Sequence, residues 1–293
     1  MKIAVLMLCH KNPQQINMFL DAMRHPSIEF FIHIDKKADF NTEIISRKDV
    51  HLLPESDRVS VNWGGWSQTQ ATLNLLKCAY ELGQYNFYWV CSGQDFPIKP
   101  VDQIVEKFAA NINKNFVNLF ESQNFKGEFN HYDKRNSIYY PGFLFGRSAE
   151  KRIMKRAYVE ITGGYNRTFT WFQRKNVTGL VFYFGANWMA LNRDIVTWMF
   201  QYMKSHPEYT AFFHHCQNPD ESFFHTLFMN SPYRETREDF LHYVDWSEGG
   251  NSPKVLTIND YERLKHSQLL MARKFDADVD STVIEKLRED EQS

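Results

Sequence analysis

The sequence is poor in cysteine and has no long hydrophobic run. Its four cysteines, Cys9, Cys78, Cys91 and Cys216, include no Cys-x-x-Cys pair, which favours reduced core thiols over a disulfide framework or a zinc cage. No stretch approaches the roughly 20 apolar residues that a membrane-spanning helix needs, and the N-terminus lacks the pattern of a signal peptide. We therefore expect a cytoplasmic protein with, at most, a peripheral contact at the inner face of a membrane.

A strong net charge is also absent. The 34 Lys and Arg residues nearly balance the 35 Asp and Glu residues, so no global field favours binding to nucleic acid. The 293 residues, of which 43% are hydrophobic and 16% aromatic, are sufficient for a sizeable core. We therefore expect a globular protein without a nucleic-acid partner, whose ligands must be deduced from local sites.

Short apolar runs alternate with helical patterns in the first part of the chain. Residues 2–8 and 29–34 have the continuous apolar character of buried parallel strands, and residues 13–24 between them have helical spacing. Residues 87–91 and 116–120 predict further strands. This order predicts an α/β sheet covered by helices on both faces, with ligand sites at the carboxyl ends of its strands.

The remainder of the chain continues the same domain after an interruption. A strand is predicted at 182–184, a helix from 194 to 204 and a helix after Asn218, and the last third ends in residues 241–246, Leu-His-Tyr-Val-Asp-Trp. Without an internal repeat or a low-complexity linker, a single domain is the simplest interpretation. Its parts are residues 1–120, a variable insert at 121–180 that is rich in Tyr, Phe, Arg and Lys, residues 181–276, and an acidic tail at 277–293.

Polar residues follow several of the predicted strands. His10 lies in a loop without the glycines of a dinucleotide-binding turn, so a dehydrogenase is not expected. Asp35 either accepts hydrogen bonds from a base or ribose or caps its own loop. Residues 92–97, Ser-Gly-Gln-Asp-Phe-Pro, carry the carboxylate of Asp95 toward the sheet edge at which the predicted strands end. None of the strands predicted above is followed by an Asp-x-Asp spacing, the paired carboxylates that hold a divalent cation.

Residues 63–67, Trp-Gly-Gly-Trp-Ser, precede a predicted helix for which Ser67 is the expected N-cap. The glycines permit close approach of a ring or sugar, and an indole such as that of Trp63 is a platform for a sugar. A plain turn with core tryptophans is the alternative interpretation.

Two cations near the C-terminus are candidates for neutralising a phosphate in place of a metal ion. Arg273 and Lys274 are adjacent, and Ser252 offers a hydroxyl in a turn, so together they can stabilise charge on a phosphate. The alternative is that the two cations only solvate the end of the chain.

Glu221 has both a structural and a catalytic interpretation. Asn218 suits an N-cap, Pro219 the first helical position and Glu221 the third, which is the pattern of a capping box. A carboxylate at a helix start also stays ionised, as a general base must be. The nearby His214, His215 and His225 suggest zinc, but no His-x-x-x-His spacing occurs.

Taken in order, these segments resemble the family of core-2/I-branching β-1,6-N-acetylglucosaminyltransferases and peptide O-xylosyltransferases, in particular its compact bacterial members. The resemblance extends from Ile3 to Phe275. The matching motifs are residues 33–37 (His-Ile-Asp-Lys-Lys), 63–67, 92–98, 185–188 (Gly-Ala-Asn-Trp), 219–221 (Pro-Asp-Glu), 245–246 (Asp-Trp), 252–254 (Ser-Pro-Lys) and 272–275 (Ala-Arg-Lys-Phe). Two features depart from the family pattern: Ala186 stands where a serine is usual, and residues 124–179 match no motif.

The resemblance implies a GT-A-like (Rossmann-like) mixed sheet flanked by helices, lacking the metal-binding Asp-x-Asp motif. It also implies an inverting glycosyltransferase that needs no metal or other cofactor. Its partners would be a UDP-sugar, with GlcNAc or xylose as the sugar, and a glycan or lipid-linked glycan acceptor, in the synthesis of a bacterial surface polysaccharide.

The resemblance also implies roles for individual residues. Glu221 would be the catalytic base, and Glu121 and Trp188 would contact the acceptor. The donor-binding residues would be His10, Asp35, Trp63, Ser92, Gly93, Asp95, Ser252, Arg273 and Lys274. Residues 1–120 would be the nucleotide-binding half and residues 181–276 the catalytic and diphosphate-binding half. The insert at 121–180 would face the acceptor, and its basic run at 151–156 would be a solvated helix face or a contact to anionic lipid.

Two other functions remain open on the residues alone. One is a catalytically silent, lectin-like protein that binds sugars through its Trp-rich loops. The other is a metal-dependent hydrolase that uses the histidines.

Overall fold

The computed structural model describes residues 1–120, 135–161, 174–250 and 252–291, and elements are numbered over these ranges. The strands are β1 (Ile3–Cys9), β2 (Ile28–Ile34), β3 (Val50–Leu52), β4 (Phe87–Ser92), β5 (Asp95–Pro97), β6 (Asn115–Phe116), β7 (Ala190–Asn192), β8 (Arg237–Glu238), β9 (His242–Val244) and β10 (Met271–Arg273). The helices are α1 (Pro13–Ala22), α2 (Trp66–Leu82), α3 (Val101–Ala110), α4 (Ala149–Ile161), α5 (Arg193–Ser205), α6 (Pro207–Phe213), α7 (Phe223–Met229), α8 (Tyr261–Lys265) and α9 (Thr282–Glu291).

The main sheet has the strand order β3-β2-β1-β4-β7-β6-β8 among the described residues. Strands β1, β2, β3 and β4 run parallel, whereas β7 is antiparallel to β4. Alternate side chains of β1 enter two different cores: Val5 packs in one with helix α1, and Leu6 packs in the other with helix α2. The predicted mixed α/β sheet, with helices on both faces, is therefore confirmed.

The parallel strands end at a common edge, where hydrogen bonds hold their loops together. The backbone N–H of Asp35, after β2, donates to the carbonyl of Cys9 at the end of β1 (2.8 Å). The N–H of Gly93, after β4, donates to the carbonyl of Leu8 (3.0 Å). These bonds bring the residues after β1, β2 and β4 side by side, as parallel pairing requires.

A second sheet of three strands, in the order β5-β10-β9, adjoins the end of β4. Strands β5 and β10 are antiparallel, and their register pairs Asp95 with Arg273. A short turn after β4 thus leads the chain from the main sheet into the small one.

Some predicted elements are confirmed and others are wrong. The helix predicted at 194–204 is α5, and the tail forms helix α9. The strand predicted at 182–184 is not formed, because the N–H of Tyr183 donates to the Thr226 hydroxyl (3.1 Å) rather than to a ladder. The predicted strand at 116–120 is reduced to β6, which ends at Phe116.

Gly185 lies where neighbouring segments come close to the backbone, next to the predicted base. Its N–H donates to the carbonyl of Glu221 (2.9 Å). A Cβ atom at this position would lie 1.9 Å from the backbone oxygen of Asn118 and 2.6 Å from the ring of His225. Only glycine therefore fits between these neighbours without moving the backbone.

Within the described ranges, no helix combines the length and apolar character that crossing a bilayer requires.

Gly185→Ala is expected to destabilise the protein, because the added methyl group overlaps a backbone carbonyl. We expect a loss of about 1–3 kcal/mol or more in the free energy of unfolding. Gly142→Ala is the matched control, since a Cβ there meets no atom within 4 Å. Thermal unfolding measures both variants, and equal melting temperatures for the two would contradict the close contact.

Candidate active site

Asp95 is completely buried, and its carboxylate is the centre of a polar network at the end of β4. It accepts a hydrogen bond from the N–H of Ser92 (2.8 Å) and pairs with the guanidinium of Arg273 (3.1 Å). The ring of His242, also buried, lies 3.6 Å away. Asp95 therefore organises protein groups and fixes the turn at residues 92–95, and its predicted contact with the donor stays a prediction.

Arg273 is held between that carboxylate and an indole ring. Its guanidinium carbon lies 3.9 Å from the centre of the Trp188 ring, which itself packs against His242. Burial lowers the pKa of Arg273, and the charge of Asp95 opposes the shift. Two predicted site residues, one assigned to the donor and one to the acceptor, are therefore in direct contact.

Lys274 belongs to a cluster of cations beyond the end of β1. Partial burial lowers the pKa of Lys274, and the charges of Arg147 and Lys11 lower it further. The pKa of His10 is also lowered, first by burial and then by the same two charges. The positive charges of Arg147 and Lys11 thus act on both His10 and Lys274.

Lys11 is largely neutralised within this cluster. Its ammonium lies 2.5 Å from one carboxylate oxygen of Asp276, and the other oxygen accepts from the side-chain amide of Asn12 (3.0 Å). Asp276, Asp278 and Asp280 have an Asp-x-Asp spacing after β10, but Asp280 accepts from the N–H groups of Ile258 and Thr282 (both 2.8 Å). The carboxylates of Asp276 and Asp280 are therefore used in contacts within the protein. Across the described ranges, no group of three or more His, Cys, Asp or Glu side chains is arranged to hold a metal ion.

Asp35 follows β2 and is nearly buried. One oxygen of its carboxylate accepts from the N–H of Lys37 (2.9 Å), which closes an Asx turn, and the Lys37 ammonium lies 3.7 Å from the other oxygen. The local loop cap considered as one interpretation of Asp35 is therefore present. A contact with a base or ribose stays a prediction.

Glu221 ends a short 3-10 helix, Pro219–Glu221, directly before α7. Its carboxylate forms an ion pair with Arg135, whose side chain is largely buried. The side chain of Glu221 is 27% exposed, whereas the residue next to it, Asp220, is 6% exposed. Of the two adjacent carboxylates, only that of Glu221 is open to a substrate.

Asp220 is directed inward beside this pair. One of its oxygens accepts from the side-chain amide of Gln68 (2.8 Å), and the other is buried without a hydrogen-bond partner. Burial, and then the charge of Glu221, raise the pKa of Asp220 to about 7. The site thus contains two neighbouring carboxylates, of which Glu221 is ion-paired and partly exposed and Asp220 is buried.

The predicted capping box at Asn218 is wrong. Asn218 has a left-handed conformation (φ 49°) and makes no capping hydrogen bond through its side chain. Its N–H donates to the carbonyl of Gly64 (2.8 Å), and its side-chain oxygen faces Gly64, where a Cβ atom would lie 2.9 Å away. Packing against a distant turn, which sequence spacing does not reveal, replaces the local cap.

The turn at 63–67 also differs from its prediction. Helix α2 begins at Trp66 with Gly65 as N-cap, so the prediction of Ser67 in that position is wrong. The Ser67 hydroxyl instead accepts from the N–H of Asn62 (2.7 Å). The Trp63 ring lies beneath the guanidinium of Arg147, 5.8 Å from its centre. Gly64 and Gly65 therefore permit close approach, as predicted, but the groups that approach them belong to other segments of the protein.

The nearby histidines diverge into separate contacts. His214 packs on the ring of Trp66 (4.3 Å) and His215 on that of Tyr139 (4.2 Å). A ring nitrogen of His225 lies 3.0 Å from the carbonyl of Ala186, and burial lowers the pKa of His225 to about 4. These contacts explain the three rings without a shared ligand.

Two predicted residues remain apart from the networks above. Ser252 is exposed in the stretch between β9 and β10. Gly93 packs against Ile16 and Cys9, where a Cβ atom would meet side chains at 3.1 and 3.2 Å. Glu121 lies outside the described residues.

Several site residues were missed by sequence reasoning. Arg135, Arg147 and Gln68 carry no motif, and the first two lie in the insert that matched no family pattern. Only the charge of the two arginines was visible in the sequence, and charge alone does not identify a partner.

Comparisons with known proteins agree with this picture. The profile of the family described as Core-2/I-Branching enzyme matches residues 3–269. Xylosyltransferase oxt of Drosophila pseudoobscura pseudoobscura is 27% identical over 314 residues, which cover 94% of this chain and 32% of that protein. Xylosyltransferase 1 of Rattus norvegicus is 24% identical over 314 residues, which cover 98% of this chain and 35% of that protein. The chain thus spans about a third of the length of these relatives.

Among solved structures, apo mouse xyloside xylosyltransferase 1 aligns with 93% of this chain and 97% of that one, at 9% identity and a TM-score of 0.39. The family resemblance read from the sequence motifs is confirmed by the profile match, which covers nearly all of the chain. This protein belongs to the Core-2/I-Branching enzyme family.

Proposed function

We propose that this protein is an inverting, metal-independent glycosyltransferase that moves a sugar from a UDP-sugar to a hydroxyl group of a glycan. Membership of a glycosyltransferase family supports the transfer reaction. The observation that carries the assignment of the base is the carboxylate of Glu221, which is accessible and paired with Arg135 while its neighbour Asp220 is buried.

Inversion needs one base on the acceptor side. As the acceptor oxygen attacks the anomeric carbon, Glu221 takes the hydroxyl proton, and the bond from that carbon to the diphosphate breaks. Arg135 forms an ion pair with the carboxylate of Glu221 and thereby positions it.

The departing UDP carries negative charge that must be stabilised. Among the described residues, the ammonium of Lys274 has no carboxylate within ion-pair distance, whereas Arg273 is paired with Asp95. Lys274 therefore supplies an uncompensated cation, and Arg273 positions the strand that leads to it. Preorganised cations of this kind stabilise a leaving phosphate without a metal.

The names of the relatives favour xylose as the transferred sugar, with GlcNAc as the second candidate. We place the acceptor among glycans or lipid-linked glycans of a bacterial surface polysaccharide, as the resemblance to compact bacterial members implies. Screening UDP-sugars and determining the mass of the product identifies the donor.

Asp220 gives the site a pH-dependent stability. Its pKa is about 7 in the folded protein, above the usual value of 3.8, so between these values the folded protein binds one proton more than the unfolded chain. The free energy of unfolding therefore falls as the pH rises through this window, and the stability that protonation provides is lost near pH 7.

Glu221→Gln is expected to retain UDP binding and to lose transfer. Removal of a general base lowers the rate by about 10²- to 10⁴-fold, while the donor contacts stay in place. Calorimetry with UDP and a product assay measure the two properties. Glu235→Gln, at a side chain that is 85% exposed, is the control. Full transfer by the Glu221 variant would remove this residue from the role.

UDP is expected to bind in the presence of EDTA, and transfer is expected to continue, because protein cations take the place of a metal. A calorimetric titration with UDP, with and without EDTA, measures the binding. A lectin-like protein would bind sugars but not UDP, and a zinc hydrolase would lose its function to the chelator. Either result would contradict the proposal.

Asp220→Asn is expected to stabilise the protein more at pH 8 than at pH 5. Asparagine does not ionise and keeps an oxygen for Gln68, so it avoids a loss of up to about 1.4 kcal/mol per pH unit. Thermal unfolding across this range gives the difference in melting temperature. Asp39→Asn, at an exposed position, is the control. Parallel pH profiles for the Asp220 variant and the wild type would show that Asp220 is ionised throughout.

A further inference from the structure

The segment before helix α4 is seated on the turn at 63–67. The buried ring of Phe145 packs on Gly65, where a Cβ atom would lie 2.9 Å from the ring. A larger residue at position 65 would displace this ring. Gly64 has a φ of 78°, a conformation that glycine adopts readily, and this shapes the turn that receives the segment.

Arg147 follows Phe145 by two residues and is thereby brought over Trp63. Its guanidinium carbon lies 5.8 Å from the centre of the indole ring, within the range of a cation–π contact. The side chain is exposed, so its donors remain accessible to a ligand. Trp63 thus supports the guanidinium from one side without neutralising it.

Positive charges outnumber negative ones on the side of Arg147 that includes His10 and Lys274, where the opposing carboxylates are Asp35 and Asp276. The charge of Arg147 contributes to the lowered pKa of both His10 and Lys274. Lys11, the next cation, is paired with Asp276. In the described part of the chain, neither Arg147 nor Lys274 has a carboxylate within ion-pair distance. Arg147, supported by Trp63, and Lys274 are therefore two cations without an ion-pair partner in the described ranges, and an anion that contacts both is stabilised by both charges.

We propose that Arg147, carried by the insert at 121–180 (the middle segment), binds the diphosphate of the donor together with Lys274. A guanidinium offers a planar set of N–H donors that matches phosphate oxygens, and an ammonium acts beside it as a point charge. The proposal rests on the proposed function, since it assumes a nucleotide diphosphate as ligand. It adds that the middle segment, in addition to facing the acceptor, completes the donor site.

The test compares UDP with uridine, which lacks the phosphates. Calorimetry on the full chain measures both ligands for the wild type, Arg147→Gln and Arg147→Lys. Arg147→Gln keeps a polar stem over Trp63 but removes the charge, so UDP affinity is expected to fall about 10- to 100-fold while uridine affinity is unchanged. Arg147→Lys is expected to retain part of the affinity. Arg152→Gln, at an exposed arginine of helix α4, is the matched control and is expected to resemble the wild type.

Two results would overturn this inference. Wild-type affinity of Arg147→Gln for UDP would show that Arg147 does not contact the diphosphate. An equal loss of UDP and uridine binding would show that Arg147 only supports the turn. A wild-type protein that binds no UDP would instead overturn the proposed function itself, so the two failures are distinguishable.

Discussion

The charge of Asp95 is the constraint on which the proposed donor side of the structure depends. A carboxylate with no exposure must be compensated, and loss of one partner of a buried ion pair costs about 3–5 kcal/mol. Asp95 meets this requirement with the N–H of Ser92 and the guanidinium of Arg273. These bonds fix the turn after β4 and join β10 to β5, so the backbone that carries Lys274 is fixed as well.

A second constraint is the absence of side chains at Gly64 and Gly65. The first lets Asn218 approach, and with it the short helix that ends at Glu221. The second accepts the ring of Phe145. One turn between the main sheet and helix α2 therefore receives both the loop of the proposed base and the middle segment. The geometry of the site follows from packing on this turn.

The sequence predicts the parallel part of the sheet well because strands buried on both faces leave continuous apolar runs, as in β1 and β4. It predicts poorly where backbone groups are satisfied by side chains, as for Tyr183, or where a cap is replaced by a distant partner, as for Asn218. Residues of the candidate site were predicted where they lie in family motifs, as Glu221 and Arg273 do. Arg135 and Arg147 were missed because their partners, Glu221 and Trp63, are 86 and 84 positions away and are reached only through the fold.

The middle segment contacts both sides of the proposed site. Arg135 pairs with the carboxylate of Glu221, and Arg147 lies on Trp63. A segment that only selected the acceptor would be a separable module, which could be exchanged between relatives to change specificity alone. Here an exchange would also remove the counter-ion of the base and a cation of the donor side. Under the proposed function, acceptor preference and catalytic rate are therefore linked, and grafting of the segment onto another member of the family would have to preserve both arginines.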